Sequence, residues 1–450
     1  MGRGGLPFHP ARVLPLWVPM RIAFLVSQFP AVSETFILSQ ITGLIDRGAE
    51  VDIFARTELP QPVEHPAVTA YGLRARTRYF ADPSDGRWKP RLKMAGILGG
   101  ALLRAPFNGT SLRRLVRHGR ADAWCALGLG NDHGQLGPYD IIHCHFGPMG
   151  QWGMSLRNLG LLQGRIVTTF HGYDMCRPFR EEGNHVYDRL FEEGDLFLPI
   201  SEYWQAQLIE RGCPPERTFV HHMGVDCQAF PFRPRAIEAD QPVRLLSVCR
   251  LAEKKGLEYA LRAVAAVVRD QGNPSGTPAL EYRIAGSGPL RPELERLVDD
   301  LGISDCVQFL GSRPSNEIPG LMERAHILLA PSVTAEDGNK EGIPVALMEA
   351  MATGLPVISS EHSGIPELVE SGVTGLLAQE RDVEGLAACI RQLVGDPGLY
   401  RRLAVAGRER VEEEFNADRL NDRLLELFKI PMGGRIDAPP RVLAGALYRT

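Results

Sequence analysis

Arg21-Ile-Ala-Phe-Leu-Val26 is a compact run of apolar residues of the kind that a buried parallel β-strand shows. Apolar residues at helical spacing follow from Phe36 to Asp46, and after Gly48 the stretch Val51-Asp-Ile-Phe-Ala55 supplies a second strand. This order predicts a β-α-β unit, whose helical crossover makes the two strands parallel.

The same alternation continues along the chain. In the first half, further strands are predicted at 140–145, 166–170 and 196–200. A polar, proline-bearing stretch at 233–241 is interpreted as a linker, and a second series of strands follows at 243–248, 281–285, 307–310, 327–330 and 356–359, with a helix starting near Asp382. The sequence therefore predicts an α/β protein of two doubly wound, Rossmann-like domains facing a central cleft, where the strands' carboxyl ends would bind ligands.

The predicted domains are 20–235 and 236–407; a closing helix at 408–430 and a flexible tail at 431–450 follow. Within residues 1–19, the prolines at positions 7, 10 and 15 break any apolar region of a signal peptide. We interpret them as a disordered extension or as sequence upstream of a true start at Met20, with a secretory signal as the alternative.

Composition places the chain among ordinary globular proteins. It has 450 residues, 44% of them hydrophobic and 23% charged, and a formal net charge of -4, which gives no signature of nucleic-acid binding. Its eight cysteines include no C-x-x-C pair, which favours reduced thiols in the cytoplasm. No apolar run approaches the roughly 20 residues that span a bilayer, so an integral membrane protein is not expected.

One segment, 87–120, has nine Lys or Arg residues and no Asp or Glu, interleaved with apolar side chains. Such a stretch could lie on an anionic membrane surface as a peripheral contact with the cytoplasmic face. The alternative is a helix that packs its apolar side on the core and leaves its arginines in water.

Two carboxylates flank a predicted helix start in Glu341-Gly-Ile-Pro-Val-Ala-Leu-Met-Glu349. Pro344 suits the first helical turn, and the helix is expected to run to Thr353, before Gly354. Free N–H groups at a helix start favour an anion such as phosphate. Acidic groups beside an anion site are useful if they bind hydroxyls, and a ligand with both features is a nucleotide sugar.

Arg250 and Lys255 follow the first strand of the second domain, where a doubly wound fold presents its ligand loops. Two cations there suit a diphosphate, and the alternative is a solvated charged turn. Lys254 is equally basic but is expected to point elsewhere, which would make it an internal control.

Other motifs are weaker. Gly286-Ser-Gly288 after a strand predicts a tight turn near a ligand, because the third glycine of a dinucleotide fingerprint is replaced by Arg291. His171 closes a first-domain strand and either faces the cleft or is structural. His143 and His145 lack a third partner at metal-ligand spacing, and the chain has no H-E-x-x-H, D-x-D, G-x-S-x-G or Walker motif. No metal and no cofactor are expected.

Taken in order, these motifs resemble a known family. Arg-Leu-x-x-x-Lys-Gly, Gly-x-Gly-Pro, Val-x-Phe-Leu-Gly311, the Glu341/Glu349 pair and Ser363-Gly-Ile-Pro-Glu367 resemble the retaining glycosyltransferases of family four, group 1, which have the GT-B fold. The first half, through Ser27-Gln-Phe-Pro-Ala-Val-Ser-Glu-Thr-Phe-Ile37, Leu198-Pro-Ile-Ser201 and Met223-Gly-Val-Asp226, looks like the colanic-acid type branch, which extends lipid-linked exopolysaccharide repeat units.

The resemblance implies metal-independent transfer of a sugar from a UDP- or GDP-linked donor, with no nucleic-acid partner. The acceptor would be a glycan or polyprenyl-diphosphate-linked oligosaccharide. It also implies roles for individual residues, with His171, Glu341, Arg250 and Lys255 as the catalytic set. The implied donor-binding residues are Arg250, Lys255, Gly286, Gly288, Glu341, Gly342, Ile343, Pro344, Val345 and Glu349, and the implied acceptor-side residues are Ser33, Glu34 and Thr35.

Within that set, Arg250 and Lys255 would bind the diphosphate, Glu349 the ribose hydroxyls, and Glu341 the transferred sugar. The chain departs from many members by having Phe29-Pro30 and Ser33-Glu34 in place of a Gly-Gly loop, and Gly-Ile-Pro in place of Gly-Phe-Gly after Glu341. Two other functions are compatible with the same scaffold: a nucleotide-sugar epimerase, and a catalytically silent nucleotide-sugar-binding protein.

Overall fold

The computed structural model describes residues 19–31, 34–58, 65–79, 137–158, 160–238, 241–271 and 280–431. The proposed extension up to residue 18, Ser33, the basic segment 87–120 and the tail from 432 lie outside these described residues.

The first half forms a six-stranded parallel sheet in the order β3-β2-β1-β4-β5-β6. Its strands are β1 Arg21–Gln28, β2 Glu50–Thr57, β3 Thr77–Tyr79, β4 Pro138–His145, β5 Gln163–Phe170 and β6 Leu196–Pro199. Strand β1 is central, and Ile22 to Val26 are buried, as the opening apolar run predicts. The three-residue edge strand β3 was not predicted.

The second half repeats this design in a sheet of order β12-β11-β10-β7-β8-β9, also parallel. Its strands are β7 Val243–Val248, β8 Leu280–Ala285, β9 Val307–Gly311, β10 Ile327–Ala330, β11 Val357–Ser360 and β12 Leu376–Ala378. Two doubly wound sheets confirm the predicted fold class. The order reverses between β1 and β4 in the first sheet and between β7 and β10 in the second, and loops at such switch points form ligand sites.

Helices connect the strands. In the first half they are Thr35–Asp46, Pro66–Ala70, Gly147–Asn158, Tyr173–Glu182, Asp188–Glu193 and Glu202–Glu210. In the second they are Leu257–Gln271, Arg291–Leu301, Ile318–Arg324, Val345–Ala352, Ile365–Leu368, Val383–Gly395, Pro397–Glu414 and Ala417–Phe428. Within the ranges that the structure describes, no helix combines the length and apolar character needed to cross a bilayer.

The prediction of one closing helix at 408–430 is wrong. The chain instead forms the helix Pro397–Glu414, breaks at Phe415, and restarts with Asn416, whose side chain accepts a hydrogen bond from the N–H of Asp418. An Asn at this position competes for backbone N–H groups and therefore favours a helix start over continuation.

The last helix that the structure describes, Ala417–Phe428, returns to the first domain. Leu424, Leu427 and Phe428 are buried in the same apolar core as the side chains of β1 and β2. At the surface of this contact, Arg47 forms an ion pair with Asp422 at 2.6 Å. The helix Ala417–Phe428 therefore contributes to the first domain's core.

Candidate active site between the two sheets

A group of charged side chains lies at the switch point of the second sheet. Strand β7 ends at Val248 and is followed by Arg250, Lys254 and Lys255, while the neighbouring strand β10 leads into the loop that carries Glu341. The carboxyl ends of adjacent parallel strands meet at one edge of a sheet. Residues that are about ninety positions apart in sequence are thereby brought together.

Two lysines converge on Glu341. Lys255 Nζ forms a close ion pair with Glu341 Oε2, and Lys254 Nζ lies 3.8 Å from Glu341 Oε1. The prediction that Lys254 points elsewhere is wrong. Glu253–Lys255 is a 3₁₀ turn, and both lysine side chains face the Glu341 carboxylate from it. Lys254 thus belongs to the site and cannot serve as a control.

The electrostatics of this cluster favour an anionic ligand. Burial opposes ionisation of Glu341, whose side chain is 14% exposed, but the charges of Lys255 and Lys254 outweigh burial and lower its pKa to about 2. Burial also lowers the pKa of Lys254, and Glu341 partly offsets that effect. Arg250 is exposed nearby. Three cations and one carboxylate leave an excess of two positive charges, which complements the negative charge of a diphosphate.

The helix after Glu341 starts without a side-chain cap. Pro344 was expected in the first turn, but the helix is Val345–Ala352 and Pro344 is its N-cap, with ψ of 124°. A proline side chain cannot accept a hydrogen bond, and the N–H groups of Gly342, Ile343 and Val345 have no acceptor within the described part of the chain. Unsatisfied N–H groups and the helix dipole make this start suited to an anion or a polar ligand.

Glu349 lies on this helix and is half-buried. Burial alone raises its pKa to about 7, with no charged or hydrogen-bonding partner contributing from the described residues. An isolated, partly desolvated carboxyl is costly unless a ligand supplies hydrogen bonds. This is the property expected of a group that binds hydroxyls.

The glycines of Gly286-Ser-Gly288 support the Arg250 loop. A Cβ on Gly286 would lie 1.7 Å from Cys249 O, and one on Gly288 would lie 2.3 Å from Leu251 O. Gly286 also has a φ of 148°, which favours glycine. These residues let two loop backbones touch, so the structure gives them a role in positioning Arg250; donor contact by them stays a prediction.

Across the cleft, His171 follows β5 of the first domain. Its main-chain carbonyl would lie 3.2 Å from a Cβ on Gly342, so a side chain at 342 would close the gap between the two domains. His171 Nε2 is 3.0 Å from Nδ1 of His145, and His171 Nδ1 is buried without a partner among the described residues. Burial lowers the pKa of His171 to about 3, so the imidazole is neutral.

Asp174 shapes the turn that carries His171. Its carboxylate accepts hydrogen bonds of 2.9 Å from the N–H groups of His171, Gly172 and Gly147. Sequence reasoning did not assign Asp174, although its spacing in Thr169-Phe-His171-Gly-Tyr-Asp174 is that of a side chain closing a tight turn. Among the described residues, no three His, Cys, Asp or Glu side chains converge to hold a metal ion.

Glu34 and Thr35 line a separate cavity of about 450 Å³ between the two domains. Phe29, Pro30, Ile37 and Leu38 contribute apolar walls from the first domain, and the segment 312–316 closes the opposite side. Burial raises the pKa of Glu34 to about 7. The predicted acceptor-side residues that the structure describes, Glu34 and Thr35, thus lie in this cavity, while Ser33 is outside the described residues.

Sequence reasoning also missed an interdomain contact. Glu367, in the Ser363-Gly-Ile-Pro-Glu367 motif, accepts hydrogen bonds from the N–H groups of Glu202 at 2.8 Å and Tyr203 at 3.0 Å. It also lies 3.1 Å from His222 Nε2. A carboxylate at the start of the first-domain helix Glu202–Glu210 is electrostatically favourable, so this second-domain residue links the two halves.

Two family models match the chain. Residues 33–229 match the model described as Glycosyltransferase Family 4, and residues 231–410 match Glycosyl transferases group 1. Together they span both doubly wound domains.

The relatives agree with these matches. The putative colanic acid biosynthesis glycosyltransferase WcaL of Escherichia coli (strain K12) is 40% identical over 420 residues, which cover 91% of this chain and 100% of WcaL. The amylovoran biosynthesis glycosyltransferase AmsK of Erwinia amylovora is 40% identical over 415 residues, covering 91% of this chain and 99% of AmsK.

Solved structures share the fold. The Anabaena protein Alr3699/HepE in complex with UDP-glucose superposes with a TM-score of 0.65 at 19% identity, covering 90% of this chain and 98% of that one. Sucrose-phosphate synthase from Thermosynechococcus elongatus superposes with a TM-score of 0.65 at 23% identity, covering 91% and 98%. The two facing sheets are the GT-B architecture, and the chain belongs to the glycosyltransferases of group 1 and family 4.

Proposed function

We propose that this glycosyltransferase moves a sugar from a UDP- or GDP-linked donor to a growing exopolysaccharide, with retention of anomeric configuration and without a metal ion. The observation that carries this proposal is the cluster of Arg250, Lys254, Lys255 and Glu341 beside an uncapped helix start. It offers positive charge for a diphosphate and a carboxylate for sugar hydroxyls in one place.

Cleavage of the sugar–phosphate bond develops negative charge on the leaving diphosphate. Cations that are already positioned stabilise that charge more in the transition state than in the bound donor, and this difference accelerates the reaction. Arg250, Lys254 and Lys255 are suited to this task, because Glu341 gathers both lysines at one place before the donor arrives. This role of the three side chains supports metal-independent transfer.

The remaining groups divide the donor between them. Glu349 would bind the ribose hydroxyls, and Glu341 with the N–H groups of Gly342 and Ile343 would bind the transferred sugar. UDP-glucose in the HepE structure supports a nucleotide-sugar donor. A GDP-mannose-dependent mannosyltransferase of Mycolicibacterium smegmatis is 27% identical over 67% of this chain, and it supports a GDP sugar as the alternative donor.

Retention follows from the family resemblance. The acceptor hydroxyl would attack the face that the leaving diphosphate vacates, and His171 would lie near the reacting centre. As a neutral imidazole, His171 can accept or donate a hydrogen bond to a sugar hydroxyl. The acceptor would enter through the cavity lined by Glu34 and Thr35.

The names of WcaL and AmsK support an exopolysaccharide acceptor, which we propose is a lipid-linked repeat unit in the cytoplasm. The basic segment 87–120 would then contact the inner face of the membrane. Replacing its arginines with Gln should abolish salt-sensitive flotation with anionic vesicles. Flotation that is unchanged by these substitutions would contradict membrane contact through this segment.

The decisive experiment needs no acceptor. UDP-glucose, UDP-galactose and GDP-mannose are tested for binding by calorimetry and for slow hydrolysis, with wild type and Arg250→Ala. Loss of a charge-assisted hydrogen bond of roughly 1.5–3 kcal/mol should weaken binding about 10–100-fold, and Arg296→Ala on an exposed helix should change nothing. Equal binding by wild type and Arg250→Ala would refute the site assignment. Formation of an epimeric nucleotide sugar in place of free sugar would indicate an epimerase.

A further inference from the structure

A chain of hydrogen bonds outside the predicted site residues ends on Glu341. The main-chain N–H of Glu341 donates to Nε2 of His362 at 3.0 Å, and Nδ1 of His362 lies 2.6 Å from Oε1 of Glu380. The other oxygen of Glu380 accepts a hydrogen bond of 2.8 Å from the N–H of Thr334. The His362 side chain is completely buried, so water does not compete for these contacts.

The partners of His362 determine its tautomer. A backbone N–H can only donate, so Nε2 of His362 must be the unprotonated nitrogen that accepts. Nδ1 then carries the proton and donates a hydrogen bond to Oε1 of Glu380. Burial lowers the pKa of His362, and the positive charge of Lys340 acts in the same direction, while Glu380 and Glu341 oppose the change. The lowered pKa keeps the ring neutral. A carboxylate that orients an imidazole in this way also fixes which nitrogen accepts.

These contacts tie together both ends of the loop that carries Glu341. Thr334 lies shortly after β10, and Glu341 lies at the far end of the same loop, before the helix Val345–Ala352. His362 follows β11 and Glu380 follows β12, so three successive strand ends meet here. Thr334 Oγ1 adds a hydrogen bond of 3.2 Å to Glu380.

Glu341 is thereby restrained at two points. Lys254 and Lys255 restrain its carboxylate, and His362 restrains its main chain. When a diphosphate draws the lysines toward its own charges, the hydrogen bond from the Glu341 N–H to His362 remains. This main-chain restraint can then keep the Glu341 carboxylate and the Gly342 and Ile343 N–H groups in register with a bound sugar.

We propose that His362 and Glu380 are positioning residues that fix the Glu341 loop for the transferred sugar, and do not contribute to binding of the diphosphate. The inference rests on the proposed function, since it presupposes a nucleotide-sugar donor at Glu341. Under this proposal, His362 and Glu380 act through the Glu341 loop and contact neither the nucleotide nor the acceptor.

Two substitutions of His362 separate this role from a general loss of packing. In His362→Gln the side-chain oxygen can occupy the place of Nε2 and accept from the Glu341 N–H. In His362→Asn the shorter amide can reach only the place of Nδ1, so the bond to Glu380 survives and the bond to Glu341 is lost. The two variants are matched in polarity and differ in the contact that the proposal requires.

The probes are UDP and GDP for binding of the diphosphate, and UDP-glucose and GDP-mannose for slow hydrolysis. We expect all variants to bind UDP or GDP like wild type within about twofold. His362→Asn and Glu380→Ala should each lose about 10–100-fold in hydrolysis, the usual cost of losing a partner that orients a functional group, and His362→Gln should retain most of it. Combining His362→Asn with Glu380→Ala should cost no more than the worse single change.

The outcomes separate the two proposals. If wild type neither binds nor hydrolyses any of the probes, the proposed function fails. If wild type hydrolyses a donor and His362→Asn does so equally well, or if diphosphate binding falls in parallel with hydrolysis, the positioning role is overturned.

A spectroscopic measurement tests the inference without any donor. In protein labelled with ¹⁵N-histidine, the signal that disappears in His362→Gln should have the shifts of a neutral ring protonated at Nδ1. A ring protonated at Nε2, or a cationic ring at pH 7, would refute the hydrogen-bond arrangement irrespective of the enzyme's activity.

Discussion

Replacing Glu341 with Gln should separate binding of the diphosphate from transfer of the sugar. In the free protein the carboxylate holds both Lys254 and Lys255, so an incoming diphosphate must compete with Glu341 for them. The substitution keeps the size of the side chain and removes the charge. The nucleoside diphosphate should then bind more tightly, while hydrolysis of the nucleotide sugar should fall.

The magnitude follows from the pKa of Glu341. Its decrease from 4.5 to about 2 corresponds to roughly 3 kcal/mol of interaction that favours the charged carboxylate. A diphosphate that takes over the lysines recovers only part of this, because it also lies close to Glu341. We therefore expect a gain of about 1–2 kcal/mol for Glu341→Gln, or about 5–30-fold in the Kd of UDP or GDP.

Calorimetric titration with UDP and GDP measures this change directly, and slow hydrolysis of UDP-glucose or GDP-mannose measures the second half of the prediction. Glu409→Gln, at an exposed position of the helix Pro397–Glu414, is the matched control and should behave like wild type. Weaker binding of the diphosphate by Glu341→Gln would refute the idea that the carboxylate competes for the lysines. Unchanged hydrolysis would refute its contact with the sugar.

Three further predictions concern single side chains. Lys254→Met should weaken binding of UDP or GDP about tenfold by calorimetry, because Lys254 contributes to the positive cluster. The control Arg296→Met should leave the affinity unchanged. Equal affinities of wild type and Lys254→Met would show that Lys254 does not bind the diphosphate. The pKa of Glu349 is raised to about 7, so the folded protein binds more protons than the unfolded chain between pH 4.5 and 7 and stability falls as pH rises through that window. Glu349→Gln should flatten this decline in calorimetric unfolding between pH 5 and 8, and a parallel decline in both proteins would contradict the assignment. Glu367→Ala should cost about 2–3 kcal/mol in the free energy of unfolding by urea, since two N–H groups at the start of the Glu202 helix lose their acceptor; a change below 0.5 kcal/mol, the ordinary size of a surface substitution, would refute this link.

The fold was predictable because inner strands such as β1 and β10 are largely apolar runs that alternate with helical segments. Val243–Val248 and Ile327–Ala330 have the predicted bounds, since both are inner strands covered on two faces. The edge strands β3 and β12 have three residues each, too few for a period to be visible. The break at Phe415 was missed because apolar spacing on either side of it continues the helical pattern.

The candidate site was predictable only where motif residues follow a strand directly. Arg250 and Lys255 meet this condition, whereas Glu341 was found from the helix start that follows it; the structure pairs Lys255 with Glu341. Lys254 was misplaced because adjacent side chains usually point apart, whereas here each of the two carboxylate oxygens of Glu341 pairs with one of the two lysines of the turn Glu253–Lys255. His362 could not be assigned, since its partner Glu380 comes from the next strand end and no sequence pattern connects the two.

The return of Ala417–Phe428 to the first domain has a consequence for how the protein is made. A ribosome releases the first sheet long before it releases Leu424 and Phe428, which complete that sheet's apolar core. Until the second domain has emerged, the first domain therefore exposes the apolar patch that Leu424 and Phe428 cover in the folded protein. A fragment cut at the linker near 235 should aggregate, whereas the same fragment co-expressed with 417–428 should be rescued. The enzyme's two halves form separate sheets, but the first half can complete its core only after the second half has been synthesised.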